Sequence, residues 1–452
     1  MKPEDKTRSK ETYDFLNKVG CGFCLAKWTQ VTIHLSSGIT HSCHHVGAHK
    51  IPLDELAKDP GALHNTSEKK LRRKEMLAGK RPTECDYCWR IEDNTNEYSD
   101  RILKSASSWS QVDKDKIKKS TGDENFYPRA VEISFSNVCN FKCSYCGPPF
   151  SSKWAEEIKQ QGPYNLSKIP YNSIKPSEVP IPEREHNPYI DAFWKWFPEA
   201  VKHMHVFRIT GGEPLLSKHT FKVIDYLLEN PQPQLEFAIN SNACPPEALW
   251  NKFISKIRQL EETKAVKSFT LYTSAESFGE QAEYSRDGMN WKLFEKNVDE
   301  FLTSTNNIKV VFMSAFNILS LPSLRSYLRY ANNLKRKFTP QRISLDFAYV
   351  RHPQFLDIKV ASPELIEKYL KSCIDYMVEH RRAGGRRFFE TEIYKLNRIY
   401  QDCITRFEKG ENVDIDRKRF FEFITEYDKR RNKSFVDTFP EFKQFLQMCK
   451  GN

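Results

Sequence analysis

The sequence predicts an α/β protein built on a mainly parallel β-sheet, with a cysteine-rich module before the sheet and a helical region after it. From residue 130 onward, short apolar runs alternate with helix-length segments, as they do in successive βα units. Eight of the 12 cysteines lie before residue 147, and the last hundred or so residues show helical apolar spacing. A chain of 452 residues is long enough for two or three domains.

The composition is typical of a soluble protein, with 39% hydrophobic residues and a mean hydropathy of −0.65. No apolar run approaches the roughly 20 residues that cross a bilayer. The charged segment 1–6 lacks the apolar stretch of a secretory signal, so we expect a cytoplasmic protein with no membrane partner, whose cysteines bind metal rather than form disulfides. The net charge of +11 suits an anionic partner such as RNA, but it is scattered, and a solvated basic surface is favoured, also for the basic run 381–387.

The N-terminal part divides into a charged lead-in, residues 1–20, and a small module, residues 21–100. Apolar and polar residues alternate over 31–35, a turn signal follows at 36–38, and 39–43 is the returning strand of a hairpin. A helix is predicted over 68–78. Residues 101–128 are charged and Ser-rich, which predicts a linker or surface helix.

The module carries four cysteines that could converge on one metal site. Cys24 and Cys43 stand at the two ends of the predicted hairpin, and Cys85 and Cys88 form a C-x2-C pair. Spacing alone allows a four-cysteine zinc site as well as an iron–sulfur cluster. Cys21 is an alternative to Cys24, because the two cysteines are themselves spaced C-x2-C.

Three further cysteines, Cys139, Cys143 and Cys146, follow the first predicted strand of the sheet, residues 130–136. Three thiolates within eight residues are a ligand pattern for a soft metal centre, although a structural zinc knuckle is an alternative. No other cysteine follows before Cys244. In a [4Fe–4S] cluster, three ligands leave one iron open to bind another molecule.

Five more strands are predicted, at 205–210, 235–240, 268–274, 309–316 and 342–350. In barrels of βα units, chemistry gathers at the C-terminal ends of the strands. The candidate site residues at or just after those ends are Gly211, Gly212, Glu213, Pro214, Asn240, Asn242, Ser274, Glu276 and Arg286. The connection 148–200 is long and rich in proline, which predicts either a lid over the site or a surface loop.

The spacing of Cys139, Cys143 and Cys146, with Tyr145 directly before the third cysteine, resembles the radical S-adenosylmethionine (radical SAM) superfamily. The resemblance implies a partial (β/α)6 barrel of the TIM type over residues 129–352, with a helical extension over 353–452. It also implies that the three cysteines hold a catalytic [4Fe–4S] cluster with SAM at the open iron. An enzyme of this kind cleaves SAM reductively to a 5′-deoxyadenosyl radical, which abstracts hydrogen from a substrate, and it takes electrons from a reductant such as flavodoxin or ferredoxin.

The same resemblance assigns contacts to SAM. The tetrapeptide Gly211-Gly212-Glu213-Pro214 would receive the SAM ammonium group, and Arg286 would bind the SAM carboxylate. The remaining implied cofactor contacts are Tyr145, Asn240, Asn242, Ser274 and Glu276, with Phe316 and Asn317 near the adenine.

The spacing of Cys24, Gly38 and Cys43 resembles the opening of the SPASM and twitch domains, which bind auxiliary clusters. No cysteine lies between Cys88 and Cys139, so the twitch type with one auxiliary [4Fe–4S] cluster is implied, with ligands Cys24, Cys43, Cys85 and Cys88. Here the module precedes the barrel, whereas it usually follows.

The substrate class implied first is a peptide or protein side chain, followed by a small metabolite or a nucleotide-derived compound. Two other hypotheses remain open. One is a zinc-binding protein that binds nucleic acid, and the other is a degenerate radical SAM fold that acts as a scaffold.

Overall fold

The computed structural model describes residues 3–175, 178–381 and 387–451, without the side chains of residues 3–6. Residues 382–386 of the basic run lie outside the described residues, and so do residues 176–177 of the proline-rich connection.

The strands of the described chain are β1 (Gln30–His34), β2 (Ile39–His41), β3 (His49–Lys50), β4 (Ala130–Ser134), β5 (Lys142–Cys143), β6 (Tyr164–Leu166), β7 (Ile169–Tyr171), β8 (Val206–Thr210), β9 (Gln232–Ser241), β10 (Val266–Ser274), β11 (Arg286–Asp287), β12 (Lys309–Phe316) and β13 (Ile343–Tyr349).

The α-helices are α1 (Pro3–Val19), α2 (Ala26–Thr29), α3 (Leu53–Lys58), α4 (Ser67–Leu77), α5 (Asp86–Asn94), α6 (Asp100–Ser105), α7 (Ser108–Gln111), α8 (Lys114–Lys118), α9 (Ser152–Gln161), α10 (Pro188–Ala200), α11 (Lys218–Glu229), α12 (Glu247–Thr263), α13 (Gly279–Ser285), α14 (Trp291–Ser304), α15 (Leu324–Lys337), α16 (Pro363–Leu365), α17 (Ser372–Glu379), α18 (Glu390–Glu408), α19 (Asp414–Arg431), α20 (Phe435–Thr438) and α21 (Lys443–Cys449). A π-helical segment, Ile366–Lys371, joins α16 to α17. Short 3-10 helices cover Pro60–Leu63, Thr83–Cys85, Val201–His203, Pro214–Leu216, Ile318–Ser320, Pro340–Arg342, Gln354–Leu356, Ile358–Val360 and Pro440–Phe442.

Six parallel strands form the centre of the fold, in the order β13-β12-β10-β9-β8-β4. They correspond to the six predicted runs, with ends that differ by a few residues. Each consecutive pair is joined by at least one helix that packs on the sheet, from α10 to α15. The predicted α/β class and the helical C-terminal region are therefore confirmed, and the six βα units are consistent with a partial TIM-like barrel.

Alternation along the strands separates an apolar face from a polar face. Ile133 of β4 and Ile209 of β8 are fully buried and belong to the main hydrophobic core. Their neighbours Glu132 and Arg208 point to the opposite face, because successive side chains of a strand alternate. That polar face also carries Asn240, whose amide oxygen accepts a hydrogen bond from the Arg208 Nε at 2.7 Å.

The predicted hairpin is present as β1 and β2, and it extends the main sheet. Strand β1 pairs in parallel with β4, with Ile33 opposite Ile133, and β2 and β3 follow in antiparallel order. The cysteine-rich module and the six parallel strands therefore share one continuous sheet.

The structure differs from the predicted linker at 101–128. Ile102, Ile117 and Phe126 of this segment are buried in a second core cluster together with Phe23 and Trp28. The apolar positions are single residues among many charged ones, so the sequence shows no amphipathic pattern there.

The C-terminal helices pack against the rest of the chain rather than extend from it. Helix α18 contacts β13, and a fully buried ion pair joins Lys335 of α15 to Glu392 of α18 at 2.6 Å. Among the helices that the structure describes, none has both the length and the apolar content of a membrane span.

Candidate active site and cysteine sites

The first cysteine loop is held at the C-terminal ends of the parallel strands. It leaves β4 after Ser134, and its Cys143 lies in β5, which pairs antiparallel with β11 so that Cys143 faces Arg286. Cys139, Cys143 and Cys146 all line one cavity of about 310 Å³. Cavities of this size hold small-molecule ligands and cofactors in other proteins.

The predicted glycine-rich segment packs its backbone against this loop. The Gly212 N–H donates to the Ser136 carbonyl at 3.1 Å, and the Glu213 N–H donates to the Val138 carbonyl at 2.8 Å. A Cβ on Gly212 would lie 2.4 Å from the Val138 oxygen. Gly211 has a φ of +132°, which disfavours other residues. Two loops can approach this closely because no side chain separates them.

The Glu213 carboxylate joins the ends of β8 and β9. It is buried and accepts hydrogen bonds from the Ser241 hydroxyl at 2.8 Å and from the Asn242 N–H at 2.6 Å. Burial raises the pKa of Glu213 to about 7. The carboxylate is thus already bonded within the protein, and its contact with the SAM ammonium group stays a prediction.

Most residues predicted for the cofactor surround the same cavity. They are Cys139, Cys143, Tyr145, Cys146, Gly211, Gly212, Asn240, Asn242, Ser274 and Arg286. Glu213, Pro214 and Glu276 lie within the described chain but do not line it. Sequence reasoning missed Phe141, Phe150, Met313, Ser314, Ala315 and Ala348.

The alternation of side chains between the two faces of β12 could have identified some of the missed residues. Met313 and Ala315, two residues apart on one face of the strand, line the cavity, as does Ser314 between them. Phe316, which was predicted near the adenine, is fully buried. Asn317, predicted beside it, is buried and caps the next 3-10 turn. The sequence prediction selected Phe316 and Asn317 because they lie at the end of β12, and it did not consider which face of the sheet each side chain occupies.

Arg286 and Glu276 form a buried ion pair beside the cysteine loop. The Arg286 Nε and Nη2 donate to the Glu276 carboxylate at 3.0 and 2.6 Å, and the two side chains are 5% and 0% exposed. The Tyr145 hydroxyl donates to the same carboxylate at 3.2 Å, and the Arg286 Nη1 lies 3.7 Å from the Cys143 Sγ. Arg286 therefore reaches the cavity with two of its nitrogens already bound to Glu276.

Burial keeps the three thiols of this loop protonated at neutral pH in the metal-free chain. It raises the pKa of Cys139, Cys143 and Cys146, the last to about 12. Neighbouring cysteines add to the effect at Cys139 and Cys146, and the Arg286 charge opposes it at Cys143. Metal ions bind the thiolate, so loading of this site must release protons. Three soft donors around one open cavity fit a cluster with an exchangeable position.

The four module cysteines are also brought together by the fold. Cys24, Cys43, Cys85 and Cys88 line a second, small cavity of about 30 Å³. Burial raises the pKa of Cys85 to about 12 and of Cys88 to about 11, and the nearby Cys24 raises both further. Cys21 is exposed and donates its thiol to the Gly79 carbonyl at 3.3 Å. The geometry thus favours Cys24 over Cys21 as a ligand.

Gly38 of the predicted twitch-like motif has a structural role in the hairpin. Its φ is +63°, and a Cβ there would lie 2.1 Å from the ring of Tyr189 on α10. The glycine lets the turn between β1 and β2 pack directly against the barrel helix, which sets where Cys43 leaves the hairpin.

The distances between the sulfur atoms of a cysteine set differ between a zinc site and an iron–sulfur cluster. In the described part of the chain, no three His, Cys, Asp or Glu side chains are close enough to hold a single metal ion. A zinc ion with Zn–S bonds of about 2.3 Å would draw its sulfurs to within about 4 Å of one another. In a cubane each cysteine binds a different iron, so its sulfurs lie farther apart. Zinc and an iron–sulfur cluster both remain candidates at the two cysteine sets.

This chain is similar to several known proteins. GTP 3′,8-cyclase of Mycobacterium ulcerans (strain Agy99) is 23% identical over 111 residues. That stretch is 24% of this chain and 24% of the relative, so the chain spans about a quarter of the length of the curated protein it matches.

Two solved structures of SuiB from Streptococcus suis are also similar. One crystal structure of SuiB is 14% identical with a TM-score of 0.35, covering 79% of this chain and 69% of that one. The structure of SuiB bound to the precursor peptide SuiA is 13% identical with a TM-score of 0.34, covering 78% and 69%.

The sequence model of the Radical SAM superfamily matches residues 133–322. The matched stretch holds the cysteine loop, the glycine-rich segment and five of the six parallel strands in whole or in part. Residues 133–322 of this chain are therefore a radical SAM domain.

Proposed function

We propose that this protein is a radical SAM enzyme that abstracts a hydrogen atom from an organic substrate. The observation that carries the proposal is the convergence of Cys139, Cys143 and Cys146 on one cavity at the C-terminal ends of the parallel strands. A [4Fe–4S] cluster on these cysteines would supply the electron that splits SAM into methionine and a 5′-deoxyadenosyl radical.

The chain's own residues would bind and orient SAM. Gly211 and Gly212 expose backbone to the cavity, and Asn240, Asn242 and Ser274 present amide and hydroxyl groups to it. The Asn242 amide also donates to the Asn140 side chain at 2.7 Å, which couples the end of β9 to the cysteine loop. These groups suit the polar ribose and amino-acid ends of SAM.

The cavity also has apolar lining residues. Phe141, Phe150 and Met313 line it, and Phe150 is about half exposed. An apolar wall can pack against the C–H group of a substrate from which hydrogen is abstracted, whereas polar wall groups would hydrogen-bond to the functional groups of that substrate.

We infer that Cys24, Cys43, Cys85 and Cys88 hold one auxiliary [4Fe–4S] cluster. The support is their common cavity, which Lys27 and Arg101 also line. Lys27 pairs with Glu84 and Arg101 with Glu92, so both cations are held in place beside the four cysteines.

The substrate class stays a prediction. The resemblance to SPASM and twitch proteins favours a peptide or protein side chain, and the match to a GTP 3′,8-cyclase supports a nucleotide-derived compound as the second class. The reductant is predicted to be a flavodoxin or a ferredoxin.

The direct test is to measure iron, acid-labile sulfide and zinc per chain after anaerobic reconstitution, with EPR spectra before and after SAM is added. Two clusters require about eight irons, with one reduced signal that changes on SAM binding. The double variant Cys85→Ala/Cys88→Ala should keep about four irons and the SAM-sensitive signal. Cys403→Ala, at a buried isolated cysteine, is the control that should keep both clusters.

Other outcomes separate the alternatives. About four irons in the wild type, with zinc bound through the module cysteines, would reassign the module to a zinc site. Tightly bound zinc at both sites and no iron would contradict the enzyme proposal and favour the zinc-binding alternative. Iron at both sites without 5′-deoxyadenosine from SAM and dithionite would favour the degenerate scaffold.

A further inference from the structure

We propose that Arg286 is a positioning residue of the catalytic cysteine site, which holds the Cys143 sulfur and sets the reduction potential of the cluster bound there. This inference rests on the proposed function, because it concerns a cluster held by Cys139, Cys143 and Cys146. It assigns Arg286 a different role from the SAM-carboxylate contact that the family resemblance implied.

The backbone places Arg286 against Cys143. Strands β5 and β11 pair antiparallel with these two residues opposite each other, and the Ser144 N–H donates to the Ser285 carbonyl at 2.8 Å. The Arg286 Nη1 then lies 3.7 Å from the Cys143 Sγ, within the longer range of N–H···S hydrogen bonds. The contact thus follows from the register of two short strands.

Glu276 fixes the direction of the guanidinium. It binds the Nε and Nη2 of Arg286, which leaves Nη1 for the sulfur. The Tyr145 hydroxyl holds the same carboxylate at 3.2 Å. Charge-assisted hydrogen bonds between buried groups have little freedom to rearrange. The three side chains therefore act as one rigid support for the loop.

This arrangement argues against a carboxylate-binding role for Arg286. An arginine recognises a carboxylate best through two parallel N–H bonds, and here Glu276 already takes that position. A SAM carboxylate at this edge of the guanidinium would have to displace Glu276, leaving a buried, unpaired anion, which is strongly unfavourable. The end-on edge that stays free has its Nη1 beside the Cys143 sulfur.

The proposal predicts shifts of opposite sign for the two partners. Hydrogen bonds and positive charge at a ligand sulfur stabilise the reduced, more negative cluster. Arg286→Met removes both, so the midpoint potential should fall. Glu276→Gln leaves the Arg286 charge uncompensated, so the potential should rise. We expect each change to alter the ratio of reduced to oxidised cluster at least tenfold, about 59 mV for one electron.

The experiment is a potentiometric titration followed by EPR without SAM, on the full-length reconstituted protein. The catalytic signal is identified by its change when SAM is then added. Arg286→Lys keeps the positive charge but lacks the planar guanidinium with its several N–H donors. Its reduction potential should lie between those of the wild type and Arg286→Met. Glu392→Gln is the control, because it breaks the Lys335–Glu392 ion pair, which is similarly buried. The Glu392 carboxylate also accepts hydrogen bonds from the Leu345 and Phe389 N–H groups. This variant should therefore destabilise the protein without changing the reduction potential.

The outcomes distinguish the proposals. Wild-type potentials in all Arg286 and Glu276 variants, with a raised KM for SAM, would overturn the positioning role and restore carboxylate binding. If Arg286→Met fails to load iron, the direction of the potential shift in Arg286→Lys and in Glu276→Gln tests the positioning role instead. A wild-type protein that binds no cluster would instead contradict the proposed function itself.

Discussion

Gly212 shows at the scale of one residue how the two loops of the radical SAM domain depend on each other. A Cβ at this position would lie 2.4 Å from the Val138 carbonyl oxygen, directly before Cys139. The atom in the way is backbone, so relief requires movement of the cysteine loop itself. The glycine-rich segment thus supports the loop and also lines the cavity.

We expect Gly212→Ala to lower the free energy of unfolding by about 1–3 kcal/mol, the usual cost of overpacking, and to reduce iron bound at the first cysteine site. Urea unfolding and iron analysis measure the two effects. Gly47→Ala is the matched control, because a Cβ there meets nothing within 4 Å. Equal iron content and stability in both variants would contradict the proposed close approach.

Glu213 provides a second prediction at this scale. Its pKa is raised to about 7 by burial, so the folded protein binds a proton more tightly than the unfolded chain does. Stability should therefore fall as the pH rises between about 4.5 and 7, by about 3 kcal/mol from this group. Glu213→Gln should lose this slope.

The measurement is the free energy of unfolding at pH 5 and pH 8 for the wild type and Glu213→Gln. The exposed Glu183→Gln serves as the control and should keep the wild-type difference. A Glu213→Gln protein with the full wild-type difference would mean that another group carries the pH dependence.

At the scale of secondary-structure elements, helix α19 braces the cysteine loop from outside the radical SAM domain. Its Arg431 is 1% exposed, binds Glu157 at 3.2 Å and lies 3.7 Å from Asp287. It also donates to the Lys142 carbonyl, one residue before Cys143. A helix from the C-terminal region thus contacts the two strands that position the first cysteine site.

Arg431→Met should destabilise the protein by about 1–3 kcal/mol, because it removes a buried cation and leaves the Lys142 carbonyl without this donor. Lys142 and Lys433 still pair with Glu157 and Asp287. It should also lower iron loading at Cys139, Cys143 and Cys146 while the module site still loads. Lys429→Met on the same helix has an 80% exposed side chain and should change stability by no more than about 0.5 kcal/mol. Equal loss of iron from both sites would point to general unfolding instead of local bracing.

The whole molecule is organised by one sheet, because β1 adds the cysteine-rich module to the edge of the parallel strands at β4. Without β1, the backbone groups of β4 along that edge would have no partner strand. Unpaired sheet edges promote association between chains. The module therefore protects the barrel as well as carrying its own cysteines.

A chain that lacks residues 1–128 should aggregate during refolding, as measured by light scattering, because the β4 edge is exposed. A separate fragment of residues 1–128, added during refolding, should restore monomeric protein by supplying β1. A truncated chain that stays monomeric and binds iron at its first site would show that the module is dispensable for the barrel.

Much of this architecture could be predicted from sequence because the signals are local. Apolar alternation and helix-length spacing predicted the six parallel strands, and the tight spacing of Cys139, Cys143 and Cys146 predicted their convergence. The hairpin with Gly38 was equally local. Such patterns depend on neighbours within a few residues, which the sequence displays directly.

Tertiary structure alone decided which side chains meet across the fold. Tyr145 contacts Glu276 from 131 residues away, and Arg431 reaches Lys142 across 289 residues. The parallel pairing of β1 with β4 and the burial of Phe316 were likewise decided by packing. A side chain's direction and partner depend on which segments pack together, and that is a property of the whole sheet. The sequence by itself therefore determined the elements and the cysteine loop, whereas the folded sheet determined that Arg286 serves Glu276 and Cys143.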